Sequence, residues 1–259
     1  MSTVTSLLSK ILTDTKVCEK HGEFEATGVP VGEKTRWSPC PDCEAERIES
    51  SRERRHRKLI DHGGQVRLER AMEQAAIPKR YRTRTLDTYN AQTSGQKRAL
   101  SSAKRFADSF EDALDTGANL IMTGRPGTGK THLAIGIAHQ AMREGYTAMF
   151  MTTMNAIRVV RETYRNGEKT ERKAIQQLAE PDLLILDEVG VQMGTDSERK
   201  ILFEIINARY ENMRPMILIS NLDVEGVRSF LGERATDRLR EGGGRAIIFD
   251  WDSHRGGEF

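Results

Sequence analysis

Gly124-Arg125-Pro126-Gly127-Thr128-Gly129-Lys130-Thr131 is the stretch that decides the fold of this 259-residue chain. It fits G-x-x-x-x-G-K-[ST], the phosphate-binding P-loop. The apolar run 119–123 before it predicts a buried strand, and the periodic run 132–142 after it predicts a helix. In that context the loop N–H groups and Lys130 face a triphosphate, and Thr131 offers a hydroxyl to Mg²⁺. The candidate ATP contacts are therefore Gly124, Pro126, Gly127, Thr128, Gly129, Lys130 and Thr131.

A second element is the apolar run Asp182-Leu-Leu-Ile-Leu-Asp187-Glu188, which ends in two carboxylates. In an open α/β sheet, ligands bind at the carboxyl edge of the strands. Asp187 is expected to bind Mg²⁺, and Glu188 is expected to act as general base on the attacking water. Taken alone, such a pair is more often a solvated strand end, but it follows a P-loop at the expected separation.

Further polar residues come later in the chain. Asn221 follows the apolar run 216–220, so its amide could orient a water near the γ-phosphate; the alternative is a helix cap. Arg234 and Arg238 are four residues apart and share a helix face. An arginine inserted at a neighbouring subunit's γ-phosphate would stabilise charge in phosphoryl transfer, whereas the alternative is a solvated basic helix.

Composition predicts a soluble cytoplasmic protein, with 30% charged and 37% hydrophobic residues, a net charge of +2 and no run long enough to span a membrane. Apolar runs alternate with helical segments, which predicts an α/β fold with a five-stranded parallel sheet covered on both faces. The expected strands are 119–123, 147–152, 182–187, 216–220 and 245–250. The expected divisions are a zinc-binding module (1–45), a charged helical segment (46–78), a linker (79–95) and an ATPase domain (96–259).

All three cysteines lie before residue 44, in a pattern typical of a structural zinc site. Cys18-x-x-His21 and Cys40-x-x-Cys43 are two ligand pairs that can close a Cys₃His tetrahedron around Zn²⁺. With all four positions filled by protein, none is left for catalysis. The alternative is a set of reduced cysteines in a loosely ordered module.

Five blocks together resemble the DnaC-type replicative helicase loaders, AAA+ ATPases related to the initiator DnaA. The resemblance covers about residues 75–259. It implies that Lys130 and Thr131 bind ATP and Mg²⁺, that Asp187 and Glu188 form the Walker B motif, and that Asn221 is sensor 1. It also implies that Arg238 is an arginine finger acting in trans with Arg234 beside it, and that Arg255 lies near sensor 2. The blocks are Gly124–Thr131, Leu184–Glu188, Ile219–Asn221, Leu231–Arg238 and Ile248–Arg255.

In the family that these blocks resemble, the segment between the second and third strands contacts single-stranded DNA. Here that segment carries a cationic stripe on one helix face, where Tyr164 could stack on a base; the alternative is a solvated face. The basic run 52–58 is open to the same two interpretations. The candidate DNA contacts are Arg158, Arg161, Tyr164, Arg165 and Lys169.

The resulting hypothesis is an ATP-dependent loader of a DnaB-type replicative helicase hexamer onto single-stranded DNA, which self-associates through its ATP site. Its N-terminal region would grip the helicase, and its ATPase would be weak alone and stimulated by DNA. The zinc pattern is not expected of the family and is consistent with a phage or prophage variant. One alternative is an IstB-type transposition helper ATPase acting with a transposase. Another is a nucleotide-switched adaptor that barely hydrolyses ATP.

Overall fold

A computed structural model of the chain describes residues 12–31, 34–60, 64–166, 171–191 and 195–253. The chain divides into two compact units, residues 1–60 and residues 61–259. This boundary differs from the expected one at residue 45, because a helix continues without a break through Ile60.

The first unit is a three-stranded antiparallel sheet followed by a long helix. Its strands are β1 (Leu12–Cys18), β2 (Gly22–Val31) and β3 (Lys34–Trp37), in the order β1-β2-β3, and α1 (Pro41–Ile60) follows. The sheet was not predicted from the sequence, although Glu23-Phe24-Glu25-Ala26 has the polar–apolar alternation of a strand.

The second unit is built around a five-stranded parallel sheet, as predicted. Its strands are β4 (Leu120–Gly124), β5 (Ala148–Thr152), β6 (Leu183–Val189), β7 (Met216–Ser220) and β8 (Arg245–Phe249). Their spatial order is β5-β6-β7-β4-β8, and every pair is parallel. The helices are α2 (Gly64–Gln74), α3 (Ser94–Asp108), α4 (Phe110–Thr116), α5 (Lys130–Arg143), α6 (Thr153–Asn166), α7 (Glu171–Ala179), α8 (Asp196–Glu211), α9 (Val224–Leu231) and α10 (Glu233–Arg240), with a short 3₁₀ turn (Lys79–Tyr81) after α2.

Two apolar cores cover the two faces of this sheet. Alternate residues of β6 belong to different cores: Leu183 and Ile185 pack with α2, α3 and α5, whereas Leu184 and Leu186 pack with α6, α7, α8 and α10. Burial on both faces explains why the strand sequences are continuously apolar. Among the described residues, no helix is both long enough and apolar enough to cross a bilayer.

Residues 79–95, expected to form a linker, instead lie within the second unit. Leu86 and Tyr89 are buried in the core that contains α5. Gly136 on α5 makes this possible, because a Cβ atom there would lie 2.8 Å from the Leu86 side chain. The polar composition of the segment concealed these two anchors.

Arg209 on α8 is a buried staple with no exposed surface. Its guanidinium donates five hydrogen bonds, all to backbone carbonyls, at 2.7–3.3 Å. Burial lowers the pKa of Arg209 to about 9, so the group stays cationic at neutral pH. The staple joins the end of α7 to the starts of β6 and β7 through the carbonyls of Leu178, Ala179, Pro181, Asp182 and Pro215.

We expect Arg209→Met to lower the free energy of unfolding by about 3 kcal/mol or more, because five buried or partly buried carbonyls lose their donor. Lys200→Ala, an exposed change on the same helix, should cost about 0.5 kcal/mol or less. Urea unfolding followed by circular dichroism measures both. Equal losses in the two variants would contradict a structural role for the staple.

Candidate functional site

The P-loop connects β4 to α5, and its glycines are required by the backbone. Gly127 and Gly129 have φ angles of 75° and 100°, which side-chain-bearing residues rarely adopt. Gly124 has a φ of 128°, and a Cβ atom there would lie 2.1 Å from the carbonyl oxygen of Phe249. A Cβ on Gly129 would lie 2.7 Å from the ring of Tyr89. The loop is thus shaped by its neighbours on β8 and in the segment before α3.

Lys130 is buried at the P-loop, with only 5% of its surface exposed. Its Nζ donates to the carbonyls of Gly124 at 2.6 Å and Arg125 at 2.7 Å. The cation therefore lies against the backbone that would surround a phosphate. This is where the sequence analysis placed a phosphate-binding lysine.

Thr131 and Asp187 are brought together from the start of α5 and the end of β6. The Thr131 hydroxyl donates to Asp187 Oδ2 at 2.9 Å. The backbone carbonyl of Asp187 accepts from the Thr153 hydroxyl at 2.8 Å, which fixes the end of the strand. A hydroxyl and a carboxylate side by side form the hard oxygen ligand pair that Mg²⁺ prefers, so these two residues fit the ion.

Glu188 has a strained backbone, with a φ of 62° in the left-handed region. Its N–H donates to Asp187 Oδ1 at 2.8 Å, and the ladder between β6 and β7 shifts register between Leu186 and Val189. Such a conformation costs a non-glycine residue roughly 1–2 kcal/mol. Strain of this kind is concentrated at functional sites, which marks Glu188 as a candidate.

These residues surround one cleft of about 690 Å³. It contains the P-loop from Pro126 to Thr131, together with Asp187, Glu188 and Asn221, so three sequence elements meet as expected. It also contains residues that the sequence analysis did not assign to the site, most of them in the segment before α3, with His132 on α5 and Ile219 on β7. Those residues are Arg80, Tyr81, Arg84, Thr88, Tyr89, Asn90, His132 and Ile219.

The missed segment is tied to α5 by His132. Its Nε2–H donates to the Thr85 carbonyl at 2.9 Å, and its ring contacts Tyr89 edge-on with centroids 5.3 Å apart. Burial, then the nearby charge of Arg84, lowers the pKa of His132, so the ring is neutral at physiological pH. The basic and aromatic run Lys79-Arg80-Tyr81-Arg82 was the one sequence signal that could have identified this wall of the cleft.

Two predicted arginines lie on α10 and outside the described lining of the cleft. Arg234 is exposed. Arg238 is half-buried, with its guanidinium 4.7 Å from the ring centre of Phe203 and 5.5 Å from that of Tyr210. Arg255 lies outside the described residues.

The predicted DNA contacts on α6 are not equivalent. Arg158 is exposed, whereas Arg161 donates to Glu198 at 3.0 Å and to Thr195 at 3.4 Å, at the start of α8. Arg161 is therefore engaged within the unit. The side chains of Tyr164 and Arg165, and the whole of Lys169, lie outside the described part of the chain.

The predicted metal ligands converge in the first unit. Their ligand atoms all lie within 4.8 Å of one another. His21 Nδ1 lies 3.3 Å from Cys43 Sγ and 3.6 Å from Cys40 Sγ, and the Sγ atoms of Cys18 and Cys43 are 3.5 Å apart. A zinc tetrahedron with bonds of about 2.3 Å to sulfur and 2.0 Å to nitrogen has edges of roughly 3.6–3.8 Å. The cluster is therefore compatible with Zn²⁺.

Two further features fit this group to a metal. Backbone N–H groups of Lys20 and His21 lower the pKa of Cys18 to about 6, and the adjacent Cys18 sulfur raises the pKa of Cys43 to about 11, so Cys18 is the thiol of this pair that ionises first. His21 Nε2 lies 3.2 Å from Glu46 Oε1, which leaves Nδ1 to face the sulfur atoms. Glu46 also pairs with Lys20. A carboxylate behind a ligating histidine is a common second layer of zinc sites.

Purified chain should carry one Zn²⁺, and Glu46→Ala should weaken zinc binding about tenfold, because it removes the group that orients His21. Glu49→Ala, a change on the same helix at an exposed acid, is the matched control. Competition against a chromophoric chelator measures both affinities. The same affinity in both variants would contradict a role for Glu46.

Comparison with known proteins shows where the chain belongs. A family model described as IstB-like ATP binding protein matches residues 45–238, well over half of the chain. Uncharacterized protein YdaV of Escherichia coli (strain K12) is 35% identical over 207 residues, covering 80% of this chain and 82% of that protein. The replicative helicase loader DnaC of the same strain is 31% identical over 190 residues, covering 73% and 76%.

The fold agrees with these sequence relationships. A crystal structure of the DnaC helicase loader superposes with a TM-score of 0.60 and 26% identity, covering 67% of this chain and all of that one. The predicted AAA+ fold and the resemblance to DnaC-type proteins are confirmed. The chain belongs to the IstB-like ATP-binding protein family, together with the DnaC helicase loaders.

Proposed function

We propose that this protein is an ATP-dependent loader that places a DnaB-type replicative helicase hexamer on single-stranded DNA. The observation that carries the proposal is the cleft that joins the P-loop, the Asp187–Glu188 pair and Asn221, on a chain that matches 76% of the length of DnaC. Relatives that are replicative helicase loaders support a role in replication. The division into a zinc-binding module, a helicase-binding helical segment and an AAA+ domain belongs to the same proposal.

The cleft residues have separate proposed roles. Lys130 binds the phosphates, since its ammonium lies within the P-loop. Thr131 and Asp187 hold Mg²⁺, which would neutralise charge on the phosphates when bound. Glu188 accepts the proton of the attacking water, and the Asn221 amide orients that water.

Arg238 is proposed to act on the ATP of a neighbouring subunit, with Arg234 beside it. Its guanidinium lies over Phe203 and Tyr210, and Nη1 is buried without a hydrogen-bond partner among the described residues. Such stacking holds an arginine in place while leaving hydrogen-bonding capacity. In a self-associated assembly the guanidinium would turn outward from these rings, and Nη1 would then donate to a phosphate of the neighbouring ATP.

Glu188→Gln should keep ATP affinity within about twofold but lower the rate of hydrolysis about 100-fold or more, because a carboxamide cannot accept the proton. Lys130→Ala is the contrasting variant and should lose ATP binding itself. Phosphate release and equilibrium binding of a fluorescent ATP analogue measure the two properties. Hydrolysis that survives in Glu188→Gln would require another base.

The first unit is proposed to hold the helicase. Most of it precedes residue 45, where the family match begins, so it is the part in which partner choice could differ among relatives. It is also a separate compact unit, which suits a docking module.

Single-stranded DNA is proposed to run along α6. In the described part of the predicted cationic stripe, Arg158 is exposed, whereas Arg161 forms an ion pair with Glu198. Phosphates would compete with that carboxylate for Arg161. DNA binding is expected to stimulate an otherwise slow ATPase.

A transposition helper is less well supported, since the DnaC relative and the DnaC crystal structure are helicase loaders. A nucleotide-switched adaptor that barely hydrolyses ATP is disfavoured by the intact Asp187–Glu188 pair. ATP turnover with and without single-stranded DNA distinguishes the adaptor from the other two.

The full chain should form a stable complex with a bacterial DnaB-type helicase in the presence of ATP, and removal of residues 1–60 should abolish it. The cut at residue 60 spares α2, whose Met72 lies in the core of the second unit. Size-exclusion chromatography with light scattering measures the complex. The truncated chain must still bind ATP, which shows that its remaining unit is folded; failure of the full chain to bind helicase would favour the transposition helper.

A further inference from the structure

Two aromatic side chains donate to the same carbonyl of the P-loop. Tyr89 Oη lies 3.3 Å and Trp251 Nε1 lies 3.0 Å from the Thr128 oxygen. Thr128 is fully buried and Tyr89 is 7% exposed. Burial raises the pKa of Tyr89 to about 12, so its hydroxyl remains a donor at neutral pH.

The two donors come from distant parts of the chain, on either side of the loop. Tyr89 lies in the segment before α3, and Trp251 follows β8. Trp251 contacts Phe249, with ring centres 4.9 Å apart, and lies over Gly95, where a Cβ would be 3.1 Å from the indole. The Trp251 indole is therefore held in place by its packing against Phe249 and Gly95.

The residues around Trp251 are also joined to the loop. The Arg125 N–H donates to the Phe249 carbonyl at 3.2 Å, and the Arg125 guanidinium pairs with Asp252 at 3.2 Å. The second pair is exposed and contributes little to stability. The backbone bond and the Trp251 indole together attach the chain after β8 to two points of the P-loop.

Fixing the Thr128 carbonyl also fixes the Gly129 N–H, because the two groups belong to one planar peptide. The described chain has no cis peptide bond, so the N–H of Gly129 points away from the Thr128 oxygen, across the same peptide plane. Glycine populates positive and negative φ about equally, so Gly129 by itself does not restrict the peptide before it to one orientation. Gly129 has a φ of 100°, and the two aromatic donors hold this peptide from outside the loop.

We propose that Trp251 and Tyr89 are positioning residues for nucleotide binding. Their shared hydrogen bonds to the Thr128 carbonyl aim the Gly129 N–H into the cradle, where it donates to the β-phosphate of ATP or ADP. This inference rests on the proposed binding of ATP at the P-loop. It assigns a function to the tryptophan after β8, which the sequence analysis used only as part of a family-like block.

Loss of the two donors should affect the affinity for nucleotides that have a β-phosphate but not the affinity for AMP, which lacks one. A misdirected Gly129 N–H lowers the affinity for ATP and ADP, because it no longer donates to the β-phosphate. The contacts to the adenosine and to the α-phosphate stay unchanged. A general loss of folding or of ring packing would instead lower the affinities for ATP, ADP and AMP together. Comparing ADP with AMP therefore separates positioning from structural support.

The test uses the full chain with Trp251→Phe and Tyr89→Phe, which remove the donors and keep an aromatic ring. Trp37→Phe is the matched control, because Trp37 is the only other tryptophan and lies in the first unit. Affinities for ADP and AMP come from competition against a fluorescent ATP analogue. We expect about a tenfold loss for ADP in each donor variant, less than a twofold change for AMP, and no change in the control.

Unchanged ADP affinity in both donor variants, or an equal loss for AMP, would overturn the inference. No nucleotide binding by the unaltered chain would instead defeat the proposed function. A second measurement does not depend on how Trp251→Phe folds. In the Trp37→Phe chain, where Trp251 is the single tryptophan, ADP should shift the emission and AMP should not; an identical response to both would also overturn the inference.

Discussion

The nucleotide cleft depends on the parallel alignment of three adjacent strands, β6, β7 and β4, that are buried on both faces. Because parallel strands end at the same edge of a sheet, the P-loop, the Asp187–Glu188 pair and Asn221 meet there although they are distant in sequence. The two cores on either side keep the strands in register. Each polar group at the edge is thus positioned by apolar packing behind it.

That packing also supports local strain. Glu188 has a left-handed backbone, and the carbonyls on either side of it are held: Asp187 accepts from Thr153 at 2.8 Å, and Val189 accepts from Ser220 at 2.6 Å. Strained residues persist where the surrounding structure over-determines them, at a cost of roughly 1–3 kcal/mol. In this conformation Glu188 lines the cleft that contains Asp187, and its backbone departs from the regular ladder of the sheet.

The first unit follows a different physical logic, because its apolar core is small. Among its described residues, Ala26, Gly28 and Cys40 are the buried ones, so burial of apolar surface contributes little to its stability. A Cys₃His cluster backed by Glu46 would supply the missing stabilisation through metal binding. Two units with separate sources of stability can change independently.

The sequence alone determined the α/β class, the parallel strands, the P-loop, the acidic strand end and the four converging Cys and His ligands. These features depend on local spacing and on hydrophobic runs, which can be read along the chain. Tertiary structure decided the rest: Tyr89 and Trp251 meet at Thr128, Arg161 pairs with Glu198, and residues 79–95 form a wall of the cleft. Such contacts join residues far apart in the chain through glycine clearances and shared acceptors, so hydrophobic periodicity does not reveal them, and the basic and aromatic run 79–82 is the one local signal of the cleft wall.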